Sequence, residues 1–293
     1  MTQQELQKLL QQERLIHTDP TLMMIHPDFL ANPSGGIYYG TGLCTPKAPS
    51  VGLPFDVLVL VLTAEFFRRS LGLDAIHHHI ADTHALSNDF CTPEGVAEIA
   101  AEYRDVLMRI ARVTGVELNV HLSSEFDTTD TYKALLSEIH TGKGEYVDRE
   151  LTDMLWYRRQ HGVSLKLGWL IQAIKSEQGF DERLYDEAFR EHCDGGMSFA
   201  YVQPGRTFDQ RRMKASPYIA IPGERRIVFK PDTNARAVYE EAVEVWGDKK
   251  LGGAVNHLNA VLRLWDKISK TPAPRTGDVI DRVQAIIDLV FEN

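Results

Sequence analysis

Arg211, Arg212 and Lys214 surround Met213 in DQRRMKASPYIAI, residues 209–221. Guanidinium and ammonium groups neutralise phosphate oxygens, and Gly205 before and Pro217 after suit a hinged loop that closes over a polyphosphate. A charged, solvated surface loop is the alternative. HHHIADTHALSND, residues 77–89, carries a second concentration of chemistry. In a strand His77 and His79 point to one face and His78 to the other. No Cys or acidic partner stands at metal-site spacing, so no metal site is expected. One or two of these histidines are then satisfied core residues. Asp82 and His84 fall at the carboxyl end of that strand, where a ligand would lie.

YYGTGLCTPKAPSVGLP, residues 38–54, supplies glycines. Gly40 and Gly42 allow close backbone approach, and Gly52 precedes a helix whose N-terminus favours phosphate. An ordinary turn is the alternative, and the stretch is neither G-x-G-x-x-G nor a P-loop. In KLGWLIQAIKSEQGFDERLYDEAF, residues 166–189, Leu167, Leu170, Ile171 and Ile174 form the core face of a helix. Trp169 and Gln172 lie near that face and either line a pocket or join the core.

The elements that must position these groups alternate between strand and helix. Leu6, Leu9, Leu10 and Ile16 predict an amphipathic first helix, Ile37–Gly40 a short strand, and Phe55–Arg69 a helix ended by Gly72. AIHHHIAD reads as a buried central strand. Thr92-Pro93-Glu94 opens a helix with a cap, a proline and an early acid. ELNVHLSSEF alternates as a strand. Helical patterns dominate from Asp130 to about Glu191, with breaks at HTGKGE, QHGVS and EQGFD. GGMSFAYVQPG and ERRIVFKPD read as strands, and the chain is helical from Thr233 with breaks at GDKKLGG and SKTPAPRTGD. Such alternation implies an α/β fold with a mostly parallel sheet, whose ligand sits beyond the carboxyl ends of the strands.

The 293 residues allow one large domain or two modest ones, and 43% hydrophobic with 25% charged residues excludes a disordered chain. A net charge of -9 argues against a general nucleic-acid coat. Cys44, Cys91 and Cys193 fit neither a disulfide framework nor a zinc site, which suggests a reducing, cytoplasmic setting. No secretory signal is visible, and VLVLVLTAEFF is shorter than the roughly 20 residues a membrane span needs.

Taken in order, these stretches resemble the catalytic domain of class I tyrosyl- and tryptophanyl-tRNA synthetases, most closely the archaeal and eukaryotic tyrosyl type. IYYGTG is similar to the family's first strand, which places Tyr38 against an amino-acid substrate. IADTHALSND resembles the segment that puts Asp82 and His84 in the pocket, and VHLSSEFDTTDTYKALLSEI the following strand, turn and helix. GWLIQAI resembles the helix that contributes Gln172, and GFDERLYDEAF the loop that brings Asp181 and Glu182 to the ligand. RRMKASPYIAI occupies the position of the KMSKS loop, with Met213 and Ser216 matching. TGDVIDRVQAIIDLVFEN resembles the closing helix. The resemblance covers most of the chain from about residue 35 and rests on order and spacing, since each motif is degenerate.

Departures are equally informative. Ser50-Val51-Gly52-Leu53 stands where the family's HIGH signature should be, keeping the glycine without either histidine. Arg212, Lys214 and Ala215 replace the first lysine, the first serine and the next residue of KMSKS. Lys175 stands near where the tyrosine-reading aspartate belongs, which argues against tyrosine as substrate. Losing one preorganised donor to developing charge commonly costs about 3 kcal/mol, roughly a hundredfold in rate.

The resemblance implies a Rossmann-like catalytic domain over residues 1–230, with an N-terminal helix, followed by a small helical segment over 231–293. It implies ATP-dependent formation of an acyl-adenylate, with magnesium as nucleotide counter-ion. Lys214, Arg212 and Ser50 would act on the phosphates, and Gly40, Gly42, Gly52, Met213 and Ser216 would bind ATP. The substrate would be an amino acid or related carboxylate, the acceptor tRNA or a small amine, and the assembly a homodimer. Two alternatives remain. One is an inactive synthetase-like protein that binds tRNA, a ligand or a protein partner. The other is an ATP-independent, tRNA-dependent transferase like the cyclodipeptide synthases, with Ser50 or Ser34 as nucleophile.

Overall fold

The computed structural model describes residues 1–12, 23–25, 27–43, 53–86, 92–139, 145–167, 195–197, 220–221 and 225–292. In chain order they form α1 (Gln3–Gln12), β1 (Met23–Ile25), α2 (Pro27–Ala31), β2 (Gly36–Gly42), β3 (Leu53–Pro54) and α3 (Phe55–Leu71). Next come β4 (Ile76–Ala81), α4 (Asp82–Ala85), α5 (Pro93–Thr114), β5 (Leu118–Leu122), α6 (Asp130–Glu138) and α7 (Glu145–His161). Then follow β6 (Val163–Leu167), β7 (Gly195–Met197), β8 (Ala220–Ile221), β9 (Arg225–Arg226) and β10 (Val228–Phe229). The last are α8 (Ala235–Trp246), α9 (Asp248–Ile268) and α10 (Val279–Phe291).

The main sheet has the order β1-β7-β6-β2-β4-β5 among the described residues. β7, β6, β2, β4 and β5 are parallel, and β1 closes one edge antiparallel to β7. The chain winds outward from β2 through β4 to β5, then returns to the other side of β2 with β6 and β7. This is a doubly wound, Rossmann-like α/β fold, and its switch point lies between β2 and β6.

The two faces of the sheet differ because side chains alternate along each strand. Ile37, Tyr39, Ile76, Ile80 and Leu165 join an apolar core with α3, α5, α9 and α10. Tyr38 and Val163 join a second, aromatic cluster with Tyr132, Met154 and Tyr157 from α6 and α7. The histidine alternation expected from sequence is present: His78 bonds Thr41 on the first face, while His77 and His79 lie on the second.

Local signals explain the helix ends. Gly72 ends α3 at φ 69°. The Thr92 hydroxyl caps α5 by accepting from Gly95 N at 3.2 Å, and Gly115 ends it in the left-handed region. Asp278 caps α10 and forms a reciprocal box with Asp281. α9 packs on α3 and α10 on α5, so Leu258, Trp265, Ile286 and Val290 share one core with Leu62 and Ile110.

Three local expectations change. Val163–Leu167 is a strand, not part of a helical run: Gly162, at φ 63°, ends α7, and V-S-L-K-L alternates. Leu167 therefore belongs to β6 rather than to a helix core face. The break at GDKKLGG reduces to Gly247, and α9 continues through Gly252 and Gly253. The segment around ERRIVFKPD splits into β9, paired with β8, and β10, paired with β3.

Candidate active site

The carboxyl ends of β2, β4 and β5 converge beside the switch point. Gly40 and Gly42 lie there on β2 and are exposed. Neither has a positive φ, so backbone conformation does not require glycine. Packing does not require it either. A Cβ on Gly42 would meet nothing within 4 Å, and one on Gly40 would make only ordinary contacts, the nearest with the Tyr38 hydroxyl at 3.6 Å. Both glycines lie exposed at the end of the sheet where doubly wound folds bind ligands.

Under this rim lies a buried polar network. The Tyr38 hydroxyl is 3.1 Å from His79 Nδ1, and its ring stacks on Tyr157 at 4.3 Å. His79 Nε2 is 2.6 Å from Ser123 Oγ. Asp153 Oδ2 is 3.6 Å from His79 Nδ1, while Asp153 Oδ1 accepts from the Tyr132 hydroxyl at 2.6 Å. The nearby carboxylate favours the His79 tautomer with its proton on Nδ1, leaving Nε2 to accept from Ser123. Burial, and then the Asp153 charge, pushes the hydroxyls of Tyr132 and Tyr157 well above the ordinary phenol range. They therefore stay neutral. Ser123, His79 and Asp153 are each about 1% exposed. Their arrangement has the connectivity of an activated hydroxyl, but it is buried, and its contacts link Tyr38 of β2 to β4, Ser123 and α7.

Asp82 and His84 come from α4, directly after β4. The carboxylate of Asp82 accepts from Ser124 N at 3.0 Å and Ser124 Oγ at 2.5 Å. Thr83 donates to Asp127 Oδ2 at 2.6 Å. These bonds tie the end of β4 to the turn after β5. The His84 ring stands edge-on to His79 with centroids 6.0 Å apart.

The structure thus gathers Tyr38, Gly40, Gly42, Asp82 and His84 at one end of the sheet. Ser50, Gly52, Gln172, Asp181, Arg212, Met213, Lys214 and Ser216 lie outside the described residues. Sequence reasoning missed Ser123, Tyr132, Asp153 and Tyr157 as members of this end. One signal was present: Asp153 is an acid inside the apolar run L-T-D-M-L-W-Y, and a carboxylate on a buried helix needs a partner.

No protein-family model and no curated protein sequence matches the chain. Among solved structures it is similar to the tyrosyl-tRNA synthetase from Archaeoglobus fulgidus in complex with L-tyrosine. Identity is 13% and the TM-score 0.55, over 97% of this chain and 99% of that one. It is similar to the tryptophanyl-tRNA synthetase from Giardia lamblia at 11% identity and TM-score 0.55, over 90% and 80% of the two chains. A tryptophanyl-tRNA synthetase homolog from Entamoeba histolytica matches at 12% identity and TM-score 0.51, over 89% and 76%. At these identities the likeness establishes a shared fold across almost the whole chain.

Proposed function

We propose that this protein activates an amino acid or a related carboxylate with ATP, as a diverged relative of the tyrosyl- and tryptophanyl-tRNA synthetases. The observation that carries this reading is the clear glycine rim at the switch point, Gly40 and Gly42, on a fold shared with those enzymes. A carboxylate oxygen attacks the α-phosphorus, the bond to the bridging oxygen breaks, and pyrophosphate leaves with the acyl-adenylate retained. Lys214 and Arg212 clamp the phosphates, Ser50 and Gly52 pack against them, and Met213 and Ser216 contribute to ATP binding. Magnesium, as the nucleotide's counter-ion, would supply positive charge to the phosphate oxygens. Tyr38, His84, Gln172 and Asp181 define the substrate pocket. Asp82 acts through Ser124 to hold the pocket's floor. The acceptor is tRNA or a small amine, and the working assembly is a homodimer.

ATP–pyrophosphate exchange on purified protein tests this, screened over the twenty amino acids and aromatic and non-protein analogues, with and without total tRNA. Exchange with one acid supports the reading and names the substrate; Lys214→Ala should then weaken ATP binding or turnover. A second reading, ligand binding without adenylation, is favoured by a specific observation. Tyr38 is 1% exposed with its hydroxyl against His79, and both carboxylate oxygens of Asp82 are engaged by Ser124. Silence across the screen, with no ATP binding by calorimetry, selects that second reading.

A further inference from the structure

Three histidines far apart in sequence converge where the end of α7 meets the sheet. His77 comes from β4, His121 from β5, and His161 is the last residue of α7. Each offers a ring nitrogen, and the three nitrogens lie within 4.8 Å of one another. His77 Nδ1 and His121 Nε2 are 3.1 Å apart. The His161 ring lies over the other two, with centroids 4.7 Å from His77 and 4.8 Å from His121. A tetrahedral zinc ion with nitrogens at about 2.0–2.1 Å sets them about 3.4 Å apart. The 3.1 Å pair is close to that spacing, and the His161 nitrogen lies within 4.8 Å of both.

We propose that His77, His121 and His161 form a three-histidine binding site for a divalent transition metal of the zinc class, with the fourth position open to water. Imidazole nitrogens are the ligands such ions take, and three of them with an open position is a known zinc arrangement. One further observation supports the site. His161 Nε2 is buried without a hydrogen-bond partner, the state a bound ion resolves. The charged groups facing His121 are Glu125 and Arg104, which bind each other at 2.8 Å. The spacing along the chain hides the site, because the fold alone brings β4, β5 and the end of α7 together.

The test uses full-length, tag-free protein stripped of metal, titrated with zinc chloride by calorimetry near pH 7. The expected result is one ion per chain, with a melting temperature raised by zinc. His161→Asn and His121→Asn should each weaken binding roughly a hundredfold or more, above the range for removing an outer-sphere partner, and abolish the zinc-dependent melting shift. Cobalt(II) added to the unsubstituted protein should give the strong visible bands of a four-coordinate ion. No stoichiometric binding, affinity unchanged in both variants, or the weak bands of six-coordinate cobalt would overturn the proposal. The cobalt spectrum decides even if a variant fails to fold, and none of these readouts depends on ATP or an amino acid.

Discussion

At the scale of single residues, the glycine rim makes the sharpest separation between stability and function. A Cβ on Gly42 meets no atom of the protein, and the residue sits in ordinary strand conformation. Gly42→Ala should therefore change unfolding free energy by less than about 0.5 kcal/mol in urea titration. If the rim is a nucleotide site, the same methyl group should weaken ATP binding about tenfold, or 1.4 kcal/mol, by calorimetry. Unchanged ATP affinity would remove Gly42 from the site. Tyr38 makes the complementary case. Its hydroxyl is buried against His79, so Tyr38→Phe should cost about 1 kcal/mol of stability through the lost hydrogen bond. In pyrophosphate exchange it should raise KM for the amino acid while leaving KM for ATP in place, because Tyr38 lies under the rim rather than on it. A change in the ATP term alone would reverse that assignment.

At the scale of elements, α3 carries a charge into the core. Glu65 is 1% exposed, and Arg68 and Arg69 donate to it at 2.7 and 2.5 Å from side chains 30% and 47% exposed. Burial would raise the Glu65 carboxyl, but the two arginines outweigh it and hold the group below its usual value of 4.5. The folded state thus binds its proton later than the unfolded state does. This stabilisation is complete above pH 4.5 and is lost as pH falls below 4.5 through the folded value. Glu65→Gln should flatten that part of the pH–stability curve. It should also cost less than the double change Arg68→Ala, Arg69→Ala. The arginines can turn to water, whereas the carboxylate would stay buried and unpaired, at about 3 kcal/mol or more. Urea midpoints from pH 7 to pH 3 measure both effects. The same helix was legible in sequence, because its apolar run, terminal arginines and Gly72 all point one way. β2, β4, β5 and the start of α5 were legible for similar reasons: alternation, or an explicit cap. β6 was not, since five residues beside a long helical pattern carry too short a period to stand out. At the site, the strand alternation placed His77 and His79 on one face, but nothing local pairs Asp153 with His79 across 74 residues, or His161 with His77 across 84. Those partnerships exist only once α7 lies over the sheet.

At the scale of the whole molecule, the helical segment after residue 230 is continuous with the core of the sheet. Trp265 of α9 is fully buried in the cluster that includes Leu62 of α3, and its indole nitrogen donates to Thr271 O at 2.9 Å. Lys270 N donates to Thr114 O at 3.3 Å, and the Lys270 side chain crosses the bare face of Gly115 at the end of α5. A shared core predicts shared unfolding. Trp265→Ala should lower stability by about 3–5 kcal/mol, the cost of emptying a large aromatic site. Its consequences should not stop at α9. Amide hydrogen exchange should accelerate in α3 and α5 as much as in α9 and α10, because opening the C-terminal helices exposes the same apolar face of the sheet. Faster exchange confined to residues 231–293 would mean instead that the segment unfolds by itself. For the nucleotide site proposed on the ends of β2, β4 and β5, the distinction matters. A shared core makes the C-terminal helices part of the scaffold that fixes those strand ends, so the same substitution should also weaken ATP binding at temperatures well below the melting point.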